Sequence, residues 1–230
     1  MPFSLLLFDY DGTLCDTRSA ITHALRRTFQ ELNHPEPLAP ILEGLVQRGL
    51  PLADTLRELH LPSTAPLPPE WLTTYRALYT AEAEALVTPF PGATETLAAA
   101  VDQGHTVVIL SNKSLAILEN SLRRLGLDSY ASLVLGDDPT AQPVLPLKPD
   151  PALFTQRVQP RFPSVDLSEV LMIGDTTTDL RFAQNCGIAS CWASFGFGVA
   201  ADCAALHPTY RINSLSELLP LIADSAAHNA

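Results

Sequence analysis

Leu5-Leu6-Leu7-Phe8-Asp9-Tyr10-Asp11-Gly12-Thr13-Leu14 is the stretch that decides the fold. An apolar run that reads as a buried strand ends abruptly in two carboxylates and a glycine turn. Charge is rarely spent at the end of a buried strand unless it does chemistry. In an open α/β sheet, ligands sit beyond the carboxyl ends of the strands, so Asp9 and Asp11 fall where a reaction centre is expected. Two later runs repeat the arrangement: Val107-Val108-Ile109-Leu110 ends in Ser111-Asn112, and Val170-Leu171-Met172-Ile173 ends in Gly174-Asp175. Three apolar runs therefore deliver polar groups at one end.

Outward from these runs, the chain beyond Val107 alternates apolar segments with helical periods, the pattern of βαβ units around a parallel sheet. Leu115, Leu118, Leu122 and Leu125 recur at helical spacing, and Gly126 stands where a C-cap belongs, so 114–125 reads as a crossover helix. A second helix follows Asp175 and is closed by Gly187. Further strands are expected at 133–135, 188–193 and 210–212, and Ser214 with Glu217 is placed for a capping box on a last helix, which Pro220 weakens.

Residues 16–88 break the alternation. They read as helices without a convincing strand; Ile21, Ala24, Leu25, Thr28, Phe29 and Leu32 make one amphipathic face. Pro62, Pro66, Pro68 and Pro69 mark a loop between these helices, and Pro89 with Pro91-Gly92 marks the return to the main body. The expected fold is α/β: a Rossmann-like parallel-sheet core formed by 1–15 and 89–230, with a helical cap domain, 16–88, inserted after the first strand and lying over the site as a lid.

At 230 residues, 47% hydrophobic and 17% charged, the chain has an ordinary globular composition. Its net charge of −11 argues against nucleic acid, which needs a basic stripe; the pairs Arg26-Arg27 and Arg123-Arg124 read as solvated helix faces. An anionic substrate would be repelled by the overall field, so attraction must come from local cations or a bound metal. The four cysteines lack CxxC spacing and the six histidines lack metal-ligand spacing. The start has neither a basic n-region nor a span-length apolar run, so a soluble cytoplasmic protein without a membrane partner is expected.

With these residues in view, the chain resembles the haloacid dehalogenase superfamily, and within it the magnesium-dependent phosphatases of the phosphoglycolate phosphatase type. The family's DxDGT motif with a following aliphatic residue is similar to Asp9–Leu14, and its strand-end Ser or Thr to Ser111-Asn112-Lys113. Lys148-Pro149-Asp150-Pro151 resembles its lysine loop, and Gly174-Asp175-Thr176-Thr177-Thr178-Asp179 its acidic GDxxxD turn. Four short motifs in the right order are far more specific than any one alone.

The resemblance implies hydrolysis of a small phosphomonoester through a phospho-aspartate. Asp9 is then the nucleophile, and Asp11 protonates the leaving oxygen and later deprotonates the attacking water. Mg²⁺ is held by the Asp9 carboxylate, the Asp11 backbone carbonyl and Asp175, while Lys148 supplies a second positive charge. Gly12 permits a sharp turn with backbone N–H groups close to the phosphate, and Ser111 and Asn112 donate to its oxygens. Ser111 is expected also as a helix N-cap. Asp179 orients Lys148 or metal-bound water, or simply steadies the first turn of its helix. Arg18, Arg48 and Arg76 are candidates for the non-phosphate end of the substrate, against the commoner reading as a solvated face.

Asp11 argues against dehalogenation, since dehalogenases of this superfamily lack the second Asp. Residues 16–88 contain no lysine, which excludes the Schiff-base chemistry of phosphonatases. Hexose-phosphate mutases of the β-phosphoglucomutase kind place a histidine ten residues after the second Asp, where this chain has Ile21. The mutase remains the alternative, beside a non-catalytic binding protein on the same fold. A small-molecule phosphate partner and a monomer or homodimer complete the expectation.

Overall fold

The computed structural model describes residues 3–60 and 66–223; Pro62 and His228 lie outside the described residues. β1 (Leu5–Phe8) is buried along its whole length. The chain turns through Asp9–Leu14 into a two-residue strand, β2 (Cys15–Asp16), and then runs through α1 (Arg18–Glu31), α2 (Ala39–Val46), α3 (Leu52–Leu59) and α4 (Pro69–Leu78). It returns through β3 (Thr88–Pro89), antiparallel to β2 with Cys15 opposite Pro89 and Asp16 opposite Thr88. The expectation of a strand-free insertion is thus corrected at its two ends, which pair with one another.

The remainder alternates: α5 (Ala93–Asp102), β4 (Thr106–Ser114), α6 (Leu115–Leu125), β5 (Leu133–Asp137), β6 (Val170–Gly174), α7 (Thr177–Cys186), β7 (Ala189–Ala193), α8 (Ala200–Ala204), β8 (Tyr210–Ile212) and α9 (Leu218–Ile222). Six strands form one parallel sheet in the order β5-β4-β1-β6-β7-β8. β1 lies between β4 and β6, with Phe8 level with both Ile109 and Ile173. That register brings the ends of the three apolar runs together.

Side chains alternate across the sheet as the strand period requires. Leu6, Phe8, Val107, Ile109, Leu171 and Ile173 face one core, closed by Leu97 of α5, Leu118 and Leu122 of α6 and Leu218 of α9. Leu5, Leu7, Val108, Leu110, Val170 and Met172 face the other, closed by Phe154, Val158 and Phe182. Coverage on both faces is what near-continuous apolar strands require. The first core runs on into the cap through Ala24, Leu25 and Phe29 of α1, and Phe29 meets Trp71 of α4 edge-on with ring centroids 4.7 Å apart.

Several local expectations change. β4 runs through Ser111 to Ser114, so Ser114 and not Ser111 is the N-cap of α6. Ser214 and Glu217 form no capping box, because the Glu217 carboxylate accepts the Asn213 N–H instead, 2.9 Å away. Pro220 fits as the third residue of α9, where a missing N–H costs no intrahelical bond. Arg124, exposed as expected, also ties α6 to the end of the cap, donating to the Glu84 carboxylate and to the Glu84 and Val87 carbonyls. Among the described residues, no helix is long and apolar enough to cross a membrane.

Candidate active site

The site lies in a cavity at the carboxyl ends of β1, β4 and β6, with the cap helices as its opposite wall. Asp9 follows directly on β1 and donates its main-chain N–H to Ile173 of β6 at 2.9 Å, which pins the carboxylate to the sheet edge. Lys148 Nζ reaches both Asp9 Oδ1 and Asp179 Oδ1 at 2.6 Å, and all three side chains are buried. Asp179, in the first turn of α7, uses its other oxygen to accept the Thr176 N–H and hydroxyl. Asp179 thus bonds both to the N-terminus of its own helix and to the Lys148 ammonium.

Asp175 is completely buried; its carboxylate accepts the Phe197 N–H at 2.7 Å and the Thr13 hydroxyl at 3.2 Å. Asp9, Asp175 and Asp179 each present an oxygen within 4.8 Å of the others. Burial, with Asp179 and Asp11 adding to it against Lys148, pushes Asp9 up to about 7. Burial and the carboxylates of Asp179 and Asp9 push Asp175 well above the ordinary carboxylate range. Burial also opposes the charge on Lys148, but Asp179 and Asp9 outweigh it and hold its pKa above the usual lysine value. One ammonium thus faces three buried carboxylates. An all-oxygen donor set with excess negative charge fits a hard divalent cation.

The Asp11 carboxylate stands outside this cluster. It is ion-paired with Lys113 Nζ at 3.1 Å, and that ammonium also donates to the Tyr79 hydroxyl at 2.8 Å. Lys113 is the residue that sequence reasoning missed here. It belongs to the quoted Ser111-Asn112-Lys113 segment, and being one of only two lysines in the chain was the available signal. The Ser111 hydroxyl accepts the Lys113 N–H at 3.2 Å and keeps its own hydrogen to donate into the cavity it lines.

Two expected phosphate contacts are corrected. Both hydrogens of the Asn112 amide are taken, by the Lys148 carbonyl at 3.0 Å and the Gly49 carbonyl at 3.3 Å, while its oxygen accepts the Lys148 N–H at 2.9 Å. Asn112 clamps the Lys148 segment and is not free to bind phosphate. Gly12 donates its N–H to Cys15 at 2.9 Å and does not line the cavity. A glycine stands there because its φ is +85° and a Cβ would collide with the Asp175 carboxylate.

The cap reaches the acidic turn through the loop between α2 and α3. The Arg48 carbonyl accepts the Thr178 hydroxyl at 2.8 Å, and Gly49 packs against Thr176. None of the three cap arginines lines the cavity. Arg48 is paired with Glu58 and Arg76 with Asp137, both at 2.6 Å, and Arg18 lies over the Phe197 ring. Phe197 was also missed; the alternation Phe195-Gly196-Phe197-Gly198 after β7 was the sequence signal for a close approach.

Comparison with known proteins bears on the family and the fold. The family model described as haloacid dehalogenase-like hydrolase matches residues 6–193. A probable phosphatase, IndB, of Dickeya dadantii is 30% identical over 221 residues, covering 94% of this chain and 91% of that protein. A phosphoglycolate phosphatase of Vibrio parahaemolyticus is 28% identical, covering 96% and 97%. A solved haloacid dehalogenase-like family hydrolase of Streptococcus pneumoniae superposes with a TM-score of 0.81 at 25% identity, covering 96% of this chain and 99% of that one.

Proposed function

We propose, from the premise that this chain belongs to the haloacid dehalogenase-like hydrolases, that it is a Mg²⁺-dependent phosphatase acting on a small phosphomonoester through a phospho-aspartate at Asp9. The observation that carries this reading is the Asp9 carboxylate at the cavity floor, fixed by Lys148 at 2.6 Å and flanked by the other two buried acids. We take 16–88 as the cap and 1–15 with 89–230 as the core. A small-molecule phosphate is the partner, and we place the protein in the cytoplasm as a monomer or homodimer.

The barrier to be overcome is first electrostatic. A carboxylate approaching a phosphate dianion at ~4 Å meets about 4 kcal/mol of repulsion per unit charge at an effective dielectric near 20. Lys148, charged at all relevant pH, offsets part of this at the attacking oxygen. The Asp9 and Asp175 carboxylates with the Asp11 carbonyl would hold Mg²⁺, which neutralises phosphate charge when bound. Asp9 forms the new bond to phosphorus while the Ser111 hydroxyl donates to a phosphoryl oxygen. Asp11 enters the cycle protonated and gives that proton to the departing alkoxide; as the carboxylate then held by Lys113, it takes one back from the water that cleaves the acyl phosphate. The overlying cap keeps bulk water from the first step.

Phosphate release from a panel of small phosphomonoesters and pyrophosphate, with and without Mg²⁺ and with Asp9→Asn as the control, tests the proposal. Mg²⁺-dependent release abolished in the variant is the expected result; no release from any compound would sink it. His23 is bonded to Glu82 at 3.1 Å and does not line the cavity, which favours hydrolysis over a mutase that needs a cap histidine. Isomerised sugar phosphate from a hexose 1-phosphate would reverse that choice.

A further inference from the structure

We propose, resting on the phosphatase reading of Asp9, that the preferred substrates are monoesters of neutral, apolar alcohols, and that esters carrying a second anionic group are used poorly. The wall facing the catalytic carboxylates is built from Ile21, Leu25, Leu45, Val46, Leu50 and Tyr75. Among the described residues no arginine lines the cavity, and the two lysines that do are already committed. Lys148 sits between Asp9 and Asp179, and Lys113 between Asp11 and the Tyr79 hydroxyl.

The lining therefore holds three carboxylates, Asp9, Asp11 and Asp179, against two ammoniums. A substrate carboxylate pressed into the apolar wall would lose its water and gain no cation. Recruiting Lys113 for it would leave Asp11 unpaired. An alkyl or aryl group, by contrast, exchanges water for contact with Leu and Ile side chains. The phosphoglycolate phosphatase named for the Vibrio parahaemolyticus relative acts on an ester with such a carboxylate; the wall described here is not suited to it.

The test compares kcat/KM for 3-methylbutyl phosphate and phosphoglycolate on the purified full chain with Mg²⁺, using p-nitrophenyl phosphate to establish that phosphoryl transfer works. The neutral ester is expected to be preferred at least about ten-fold, mostly through KM, the range that one misplaced group in a pocket commands. Leu50→Arg, in the half-buried α2–α3 loop, supplies the missing cation and is expected to move the ratio toward phosphoglycolate by about ten-fold or more. Phosphoglycolate used as well as the neutral ester by the wild-type chain would overturn the substrate class while leaving the phosphatase reading intact. An unchanged ratio in folded Leu50→Arg would do the same. Failure to hydrolyse any ester, p-nitrophenyl phosphate included, above the Asp9→Asn background would overturn both. The wild-type comparison decides even if the variant does not fold.

Discussion

Lys113 on β4 holds the Asp11 carboxylate at 3.1 Å, and its ammonium lies 4.0 Å from the centre of the Tyr79 ring contributed by the cap. A single cation thus joins the proposed acid–base group to the domain that covers it. Lys113→Met is expected to lower kcat about 10–100-fold with KM little changed, as for other residues that orient a reacting group. Steady-state kinetics on the preferred ester checks this. A raised KM with kcat intact would instead make Lys113 a substrate contact.

Lys148→Met removes the ammonium that bridges two buried carboxylates, Asp9 and Asp179. Activity is expected to fall by about 10²–10³-fold or more. At pH 8 the fold should lose about 3–5 kcal/mol, the usual cost of stranding a buried charge. The loss should shrink toward pH 5, where the stranded Asp9 carboxylate, already raised to about 7, protonates instead. Urea denaturation at the two pH values measures the difference.

Asp9 carries a pKa raised from 3.8 to about 7 in the absence of metal, so the metal-free folded state binds a proton that the unfolded chain has already released. Its stability must then fall as pH rises from about 4 to about 7, by roughly 1.4 kcal/mol per pH unit for one such group. A Mg²⁺ held by the ionised carboxylates, as proposed, should stabilise the fold increasingly over the same window. Thermal melts in EDTA and in Mg²⁺ at pH 5, 6 and 7.5 should diverge; parallel curves would refute the linkage.

Gly12→Ala places a Cβ against the Asp175 carboxylate at a φ of +85°. Left-handed backbone alone costs roughly 1–2 kcal/mol for a non-glycine residue. Displacing Asp175 should raise the Mg²⁺ concentration needed for half-maximal activation by about ten-fold or more. Titration of activity with Mg²⁺ reads this directly, and an unchanged midpoint would mean that Asp175 does not bind the metal.

The parallel sheet was legible because β1, β4 and β6 are apolar runs that end in polar residues, a pattern fixed by burial on both faces and a ligand site at one end. The caps of α6 and α7 were equally readable from Gly126 and Gly187, both of which adopt the left-handed conformation. What sequence spacing does not encode is the partner of a hydrogen bond. Asn112 and Gly12 stand at motif positions, yet their donors are taken by Lys148, Gly49 and Cys15. Lys113 was passed over because its partners lie 102 and 34 residues away. The cap wall was hidden for another reason: Leu45, Val46 and Leu52 are the residue types that any helix buries in its own core, so their sequence does not distinguish packing from a substrate cavity.

The pairing of Cys15 with Pro89 and of Asp16 with Thr88 brings the departure and return of the insertion side by side. To the rest of the chain, everything between them is one long loop closed at its neck, and lengthening such a loop costs closure entropy only logarithmically. On the proposed reading, the reaction chemistry and the substrate's organic group are thus served by segments whose lengths can change separately. Evolution, or a protein engineer, can exchange what lies above the neck for a different wall while Asp9, Lys148 and Asp175 keep their places below it.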